Sequence, residues 1–274
     1  MPAEGLSGAS LANQILDSCS STNDVAKRLA EEGFPQGTWV SARTQGAGRG
    51  RLGRKWESLA GNLFLSFIVR LEDRSKWSWV PLTSAVAVVT ALKPLFPNLP
   101  FRIKWPNDIC ISSESGGVKL GGVLCEASSS AERSFIIVGL GLNCAEAPAL
   151  GTVNQQVGHL SEYASGFDPD LKVNADRVRG PIVDSLRFCF ERLAREGKGW
   201  VSAEYQHLAL FQEGTALTWS PFIEQGVVLG LGDLAELRVR SSLGEVRSLY
   251  SEEVKVRKIK PSVRDQIRGD EFLL

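Results

Sequence analysis

Residues 101–143 read FRIKWPNDICISSESGGVKLGGVLCEASSSAERSFIIVGLGLN. In FRIKW the side chains alternate, with Phe101, Ile103 and Trp105 on one face and Arg102 and Lys104 on the other, the period of a half-buried strand. Three further apolar runs follow at 108–113, 118–126 and 133–142, separated only by short Ser, Glu and Gly segments. Links that short join antiparallel neighbours, because a parallel crossover needs a dozen or more residues. The stretch predicts an antiparallel meander.

Outward toward the N-terminus, NLFLSFIVRL at 62–71 is a continuous apolar run, the mark of a strand covered on both faces. TWVSAR at 38–43 adds another strand. Before it, Ser21, Thr22 and Asn23 cap a helix whose apolar residues Val25, Ala26, Leu29 and Ala30 fall at helical spacing, closed by Gly33 and Pro35. Pro81 opens a second helix through AVAVVTAL, which Pro94 and Pro97 end. Beyond the meander, 145–171 is polar and reads as a partly mobile connection. Val178, Ile182, Leu186, Phe190 and Leu193 then trace the stripe of a long helix over 174–195, beginning in earnest near Pro181 and ended by Gly197 and Gly199. A shorter helix at 200–210 leads to glycine-punctuated strands that predict a small β-barrel.

The fold class is thus α+β, a mixed, largely antiparallel sheet flanked by helices plus a small C-terminal barrel. The expected division is a flexible tail at 1–12, a main domain at 13–212, the barrel at 213–262 and a tail at 263–274.

Lysine plus arginine and aspartate plus glutamate both number 31, so no overall basic field draws the molecule to nucleic acid or an anionic membrane. No apolar run approaches the length that crosses a bilayer, and MPAEGLSGAS lacks the blocks of a signal peptide, which places the protein in the cytoplasm. Five scattered cysteines, Cys19, Cys110, Cys125, Cys144 and Cys189, read as buried thiols. The two histidines, His159 and His207, form no metal-ligand pattern and make a Ser-His-Asp triad improbable. No metal ligand is assigned.

The densest chemical signal is the segment from Arg43 to Trp56. Arg43, Arg49, Arg51, Arg54 and Lys55 stand there without an acid, so the segment repels itself unless an anion arrives. Glycines at 46, 48, 50 and 53 let backbone N–H groups turn inward around phosphate or carboxylate oxygens. A plain solvated turn would not require that density of glycine and arginine. Gly48, Gly50 and Gly53 also match G-x-G-x-x-G, but RKWESLAGN shows no apolar stripe and runs into a strand, whereas a dinucleotide loop opens a helix. Trp56 is either core filler or a face for a nucleobase.

Lys104 to Asp108, KWPND, presents an amide and a carboxylate at a strand end, which alone is an ordinary Asx turn. Lys119, alone a snorkelling lysine, precedes Gly121 and Gly122, which clear space for a ligand. Gly139 and Gly141 likewise clear one face of a strand that ends at Asn143.

In order, S-T-N, GRGR-x-GR-x-W, KWPND, K-x-GG-x-L-x-E and G-x-G-x-N over 21–143 resemble the catalytic domain of biotin protein ligases, a class II synthetase-like fold with an SH3-like C-terminal barrel. The resemblance implies ATP with its Mg2+, biotin as substrate, and a biotin carboxyl carrier protein of acetyl-CoA carboxylase or a related enzyme as partner. It further implies that Ser21, Thr22, Asn23 and Gln45 form the biotin head site. Gly48, Arg49, Gly50 and Arg51 cover the carboxylate and phosphates, with Lys119 at the reacting atoms. Arg51, Arg54, Trp56, Asn107 and Asn143 serve the nucleotide, Asp108 orients the acceptor amine, and Arg257 of the barrel is a further candidate at the nucleotide. Many relatives begin with a helix-turn-helix domain, and only about twenty residues precede S-T-N here. The expectation is a ligase without operator binding, monomeric or homodimeric, with neither DNA nor membrane as partner. A lipoate or other acyl-carrier ligase is the nearest alternative, and a nucleic-acid-binding module using the basic loop is the alternative from another class.

Overall fold

The structure, a computed structural model, describes residues 13–113, 116–129, 133–149, 156–168, 170–219, 224–250 and 256–258. The chain divides into two compact units between Leu210 and Phe211. The first runs β1 (Gln14–Cys19), α1 (Thr22–Glu32), β2 (Trp39–Gln45), β3 (Leu63–Val69), α2 (Val80–Leu95), β4 (Phe101–Lys104), β5 (Asp108–Ser113), β6 (Gly116–Ser129), β7 (Ser134–Leu142), α3 (Leu160–Ala164), α4 (Ala175–Glu196) and α5 (Gly199–Leu208). The strands form one sheet in the order β1-β2-β3-β7-β6-β5-β4. Only β1 and β2 pair in parallel; every other neighbour is antiparallel.

The expected meander is present as β4-β5-β6-β7. All seven residues of β3 are buried, as the unbroken apolar run requires, because helices cover both faces of the sheet. On one face Ala26, Leu29 and Ala30 of α1 pack on Val40, Ile68, Phe135 and Ile137. On the other, α4 lies against β3, with Phe190 stacked on Phe67 at a centroid distance of 6.0 Å, and α2 packs on α4 and β6. Each such fully buried large side chain is worth about 1.5–3 kcal/mol.

Several expectations needed correction. β1 was not anticipated; at the sheet edge none of its residues is fully buried, and Ile15 is exposed while Gln14 is half-buried, so no apolar alternation marks it. Ser21 is the residue before α1 but makes no capping hydrogen bond through its side chain, while Thr22 and Asn23 lie inside the helix. Pro94 sits within the last turn of α2 rather than beyond it. The long helix starts at Ala175, where Asn174 accepts the Arg177 N–H, and it runs through Pro181. Part of the 145–171 connection is ordered: α3 lies within it, and Val157 bridges in parallel to Lys119. By length and composition the stretch Arg74–Leu95 could cross a membrane, yet Val80, Leu82, Val86, Val88 and Val89 are at most 1% exposed in the core.

The second unit is a five-stranded antiparallel sheet, β8 (Ala216–Trp219), β9 (Glu224–Leu231), β10 (Leu237–Ser241), β11 (Val246–Leu249) and β12 (Val256–Lys258), in the order β11-β10-β9-β8-β12. Leu217, Trp219, Val228, Leu237, Val239 and Leu249 are among its buried residues. Arg257 stands opposite Thr218, and its side chain lies outside the described part. The expected tails, 1–12 and 263–274, also lie outside the described residues.

Candidate active site

Strand register gathers the motifs at one end of the large sheet. β2 ends at Gln45, β3 begins at Leu63, and β7 ends at Leu142 opposite both Leu63 and Gly121; Asp108, the first residue of β5, pairs with Gly122 and Lys104. The start of α1 meets the same end, because Gly46 N donates to Cys19 O and Ala47 N to Ser20 O.

At α1, Ser21, Thr22 and Asn23 are 3–5% exposed. Gln45 Oε1 accepts from Thr22 N at 2.9 Å and lies 3.1 Å from Thr22 Oγ1. Ser66 Oγ, fully buried in β3, is 2.8 Å from Thr22 Oγ1 and 2.6 Å from Asn23 Oδ1, and Asn23 Nδ2 donates to Glu126 Oε2 at 2.5 Å.

The glycine–arginine segment is a hairpin. Trp56 N donates to Gly48 O, Gly50 N donates to Arg54 O, and Arg49 bridges Lys55. Its charge reading needs correction in part: acids from other elements pair with two of the five cations, Arg43 and Arg49. Arg49 forks onto Asp24, 2.6 Å and 3.1 Å, with Glu126 Oε1 at 3.5 Å, and Arg43 lies 3.4 Å from Asp17. The Arg49 hydrogen bonds hold the Asp24 carboxyl below the usual carboxylate range against the opposing effect of burial, and Asp24 raises Arg49 in turn. Arg51 donates to Asn107 Oδ1 at 3.1 Å, tying the hairpin to the β4–β5 turn, whereas Arg54 Nε bonds the Arg51 carbonyl within its own hairpin. Two glycine amides, Gly46 and Gly50, face chain carbonyls rather than an anion. Gly48 is required by space: a Cβ there would stand 2.8 Å from Trp56 O and 3.2 Å from Gln45 Nε2.

Lys119 and Asp108 form an ion pair at 2.7 Å with side chains only 14% and 17% exposed. A bulge between Ile109 and Cys110 shifts the β5–β6 register beside Lys119, a device that re-aims side chains. Lys119 Nζ also sits 5.6 Å from the Trp56 ring centroid. The turn between β4 and β5 contains a cis Trp105–Pro106 bond, and Asn107 Nδ2 donates to Val123 O. Asn143, 3% exposed, donates to Gly158 O and so anchors the segment before α3.

The clearance glycines make room for the site's own side chains. A Cβ on Gly139 would meet Asn23 Oδ1 at 2.3 Å, and one on Gly141 would meet the Trp56 ring at 2.4 Å. Trp56 Nε1 is buried there without a hydrogen-bond partner among the described residues.

All five cysteines are free, and burial pushes Cys110, Cys125 and Cys144 up to about 12 and Cys189 to about 11; Cys19 is also raised. None has the low pKa of a nucleophilic thiol. Among the described residues, no group of three or more His, Cys, Asp or Glu side chains could hold a metal ion.

Sequence reading missed Asp24, Ser66 and Glu126 as partners, and also Asn62, whose Oδ1 accepts the N–H groups of Cys144, Ala145 and Glu146 just beyond Asn143. A lone acid in an otherwise apolar and glycine-rich strand was the available signal for Glu126.

A helix-flanked, mostly antiparallel sheet thus carries a glycine–arginine hairpin and a Lys–Asp pair at one end. Residues 15–143 match the model of the biotin/lipoate A/B protein ligase family. The bifunctional ligase/repressor BirA of Bacillus subtilis (strain 168) is 29% identical over 251 residues, covering 88% of this chain and 72% of that protein. The biotin–[acetyl-CoA-carboxylase] ligase of Paracoccus denitrificans is 37% identical over 142 residues, covering 51% of this chain and 57% of that protein. The fold resembles that of the biotin protein ligase from Aquifex aeolicus in complex with biotin and ATP, with a TM-score of 0.72, 24% identity, and coverage of 90% of this chain and 100% of that one.

Proposed function

We propose that this chain is a biotin protein ligase: it activates biotin with ATP to biotinyl-5′-AMP, releasing pyrophosphate, and transfers the biotinyl group to a lysine of a biotin carboxyl carrier domain in the cytoplasm. The observation that carries this reading is the convergence of Thr22, Gln45, the 48–56 hairpin, Asn107, Asp108 and Lys119 at one sheet end, in a chain whose residues 15–143 match the family model.

Biotin's carboxylate attacks the α-phosphorus, an oxygen–phosphorus bond forms, and the bond to pyrophosphate breaks. Negative charge builds on the α-phosphoryl oxygens, where the Lys119 ammonium stabilises it. The acceptor amine then attacks the biotinyl carbonyl and AMP leaves; Asp108, already within 2.7 Å of one ammonium, is suited to hold another and accept its proton. Ser21, Thr22 and Gln45 take the ureido ring. Arg49, Gly50 and Arg51 cover carboxylate and phosphates, while Trp56, Asn107, Asn143 and Arg54 serve the nucleotide. Magnesium arrives with ATP.

The test is pyrophosphate exchange. Label from radioactive pyrophosphate should enter ATP only when biotin is present; exchange with lipoate in place of biotin, or with neither, refutes the proposal.

A further inference from the structure

At Lys119 the strand β6 outruns both of its ladders. Its pairing with β7 begins at Gly121, opposite Leu142, so Val118, Lys119 and Leu120 extend past the end of β7. On the other side Ile109 faces Gly121 and Cys110 faces Lys119, which leaves Leu120 as the extra residue of the bulge. A bulge disrupts the ladder where it falls, and here it falls beside the ammonium whose placement the reaction needs.

The open side is closed by a segment from the connection after β7. Lys119 N donates to Gln156 O and Gly158 N donates to Lys119 O, both at 3.0 Å, around the parallel bridge to Val157. A strand residue turns its N–H and C=O to one side, so Lys119 spends both on this segment rather than on β5. Asn143 splints the arrangement: its N donates to Leu120 O at 2.8 Å and its Nδ2 to Gly158 O at 3.1 Å. Gln156–Gly158 thus takes the place of the missing end of β7.

Space requires glycine at 158. A Cβ there would stand 2.9 Å from Tyr163 Cε2, 3.0 Å from Val118 Cγ1 and 3.2 Å from Glu162 Oε2. Tyr163 is half-buried and Glu162 exposed, so both can turn aside, whereas Val118, 3% exposed within β6, cannot. We propose that Gly158 is a positioning residue for adenylate formation: its missing side chain lets Gln156–Gly158 close against β6, which fixes the Lys119 backbone and with it the place of the ammonium. The inference rests on the reading that Lys119 stabilises charge on the α-phosphoryl group.

The test places Gly158→Ala and Gly158→Val in the full chain, each with Lys119 intact and with Lys119→Ala. Biotin-dependent pyrophosphate exchange is read at saturating ATP and biotin, beside biotin affinity by calorimetry. Carbon atoms settle at about 3.5 Å, so alanine should drive the segment about 0.5 Å from Val118 and valine roughly 1 Å. A misplacement of about 1 Å is worth about a hundredfold in rate. Exchange should therefore slow about tenfold for alanine and about a hundredfold for valine, with biotin affinity within about twofold of wild type. In the Lys119→Ala background no ammonium is left to misplace, and Gly158→Val should cost less than about threefold. The same loss in both backgrounds, a wild-type rate in Gly158→Val, or a parallel loss of biotin affinity in Gly158→Ala overturns the inference and leaves the proposed function standing. A wild-type chain without biotin-dependent exchange overturns both.

Discussion

Gly141→Ala probes the site without removing any polar group. The new Cβ would stand 2.4 Å from Trp56 Cε2; carbon atoms settle at about 3.5 Å, so the ring must retreat by about 1.1 Å. β7 cannot yield, being paired on both sides by β3 and β6. The hairpin bearing Trp56 can, because it is held by a few hydrogen bonds at the surface. Displacement therefore takes the place of most overpacking strain, and the stability cost should fall near about 1 kcal/mol, the low end for such insertions. Catalysis should suffer more. Trp56 lies over Lys119 and its hairpin carries Arg49 and Arg51, and a misplacement of about 1 Å is worth roughly a hundredfold in rate. The assay is biotin-dependent pyrophosphate exchange beside a thermal melt. Exchange at the wild-type rate with an unchanged melting temperature would show that the indole does not rest on Gly141.

Lys119→Ala should slow adenylate formation by about two to three orders of magnitude in a folded protein, and adding Asp108→Asn should recover the stability lost to an unpaired carboxylate but not the activity, both read by exchange rate and thermal melt. Asp24→Asn should leave Glu126 as the acid holding Arg49 and raise amide exchange at Gly50 and Trp56, while changing global stability by under about 1 kcal/mol, since both side chains of the pair are more than a third exposed. Because Asp24's carboxyl is depressed by Arg49, the tether is complete above the ordinary carboxylate range and is lost as pH falls through the lowered value. Hydrogen exchange across 48–56 against pH checks this, and a profile unaltered by the substitution would rule out Arg49 as the tether.

The sheet was legible wherever burial imposes a period: FRIKW shows it by alternation and the 62–71 run by unbroken apolarity. β1 escaped because an edge strand with one wet face needs no such pattern. Pro181 misled because α4 is defined from Asn174, whose side chain caps it before the proline. In the site, the motifs identified which residues meet but not what they meet. The five cations were counted along the chain, while the counter-charges of two of them, Asp17 for Arg43 and Asp24 and Glu126 for Arg49, come from β1, α1 and β6. Likewise the glycines at 139 and 141 announced a clearance, but a sequence does not say that Asn23 and Trp56 occupy it.

The pairing of β3 with β7 also bears on synthesis. β3, the most thoroughly apolar strand, leaves the ribosome with β2 available on one side, but its other neighbour follows only after α2, β4, β5 and β6 have been made. At typical elongation rates that interval is roughly ten seconds, during which an apolar edge has no partner of its own, the exposure through which nascent chains aggregate. Yield in the cell should therefore depend on chaperones guarding that interval as much as on the stability of the finished sheet.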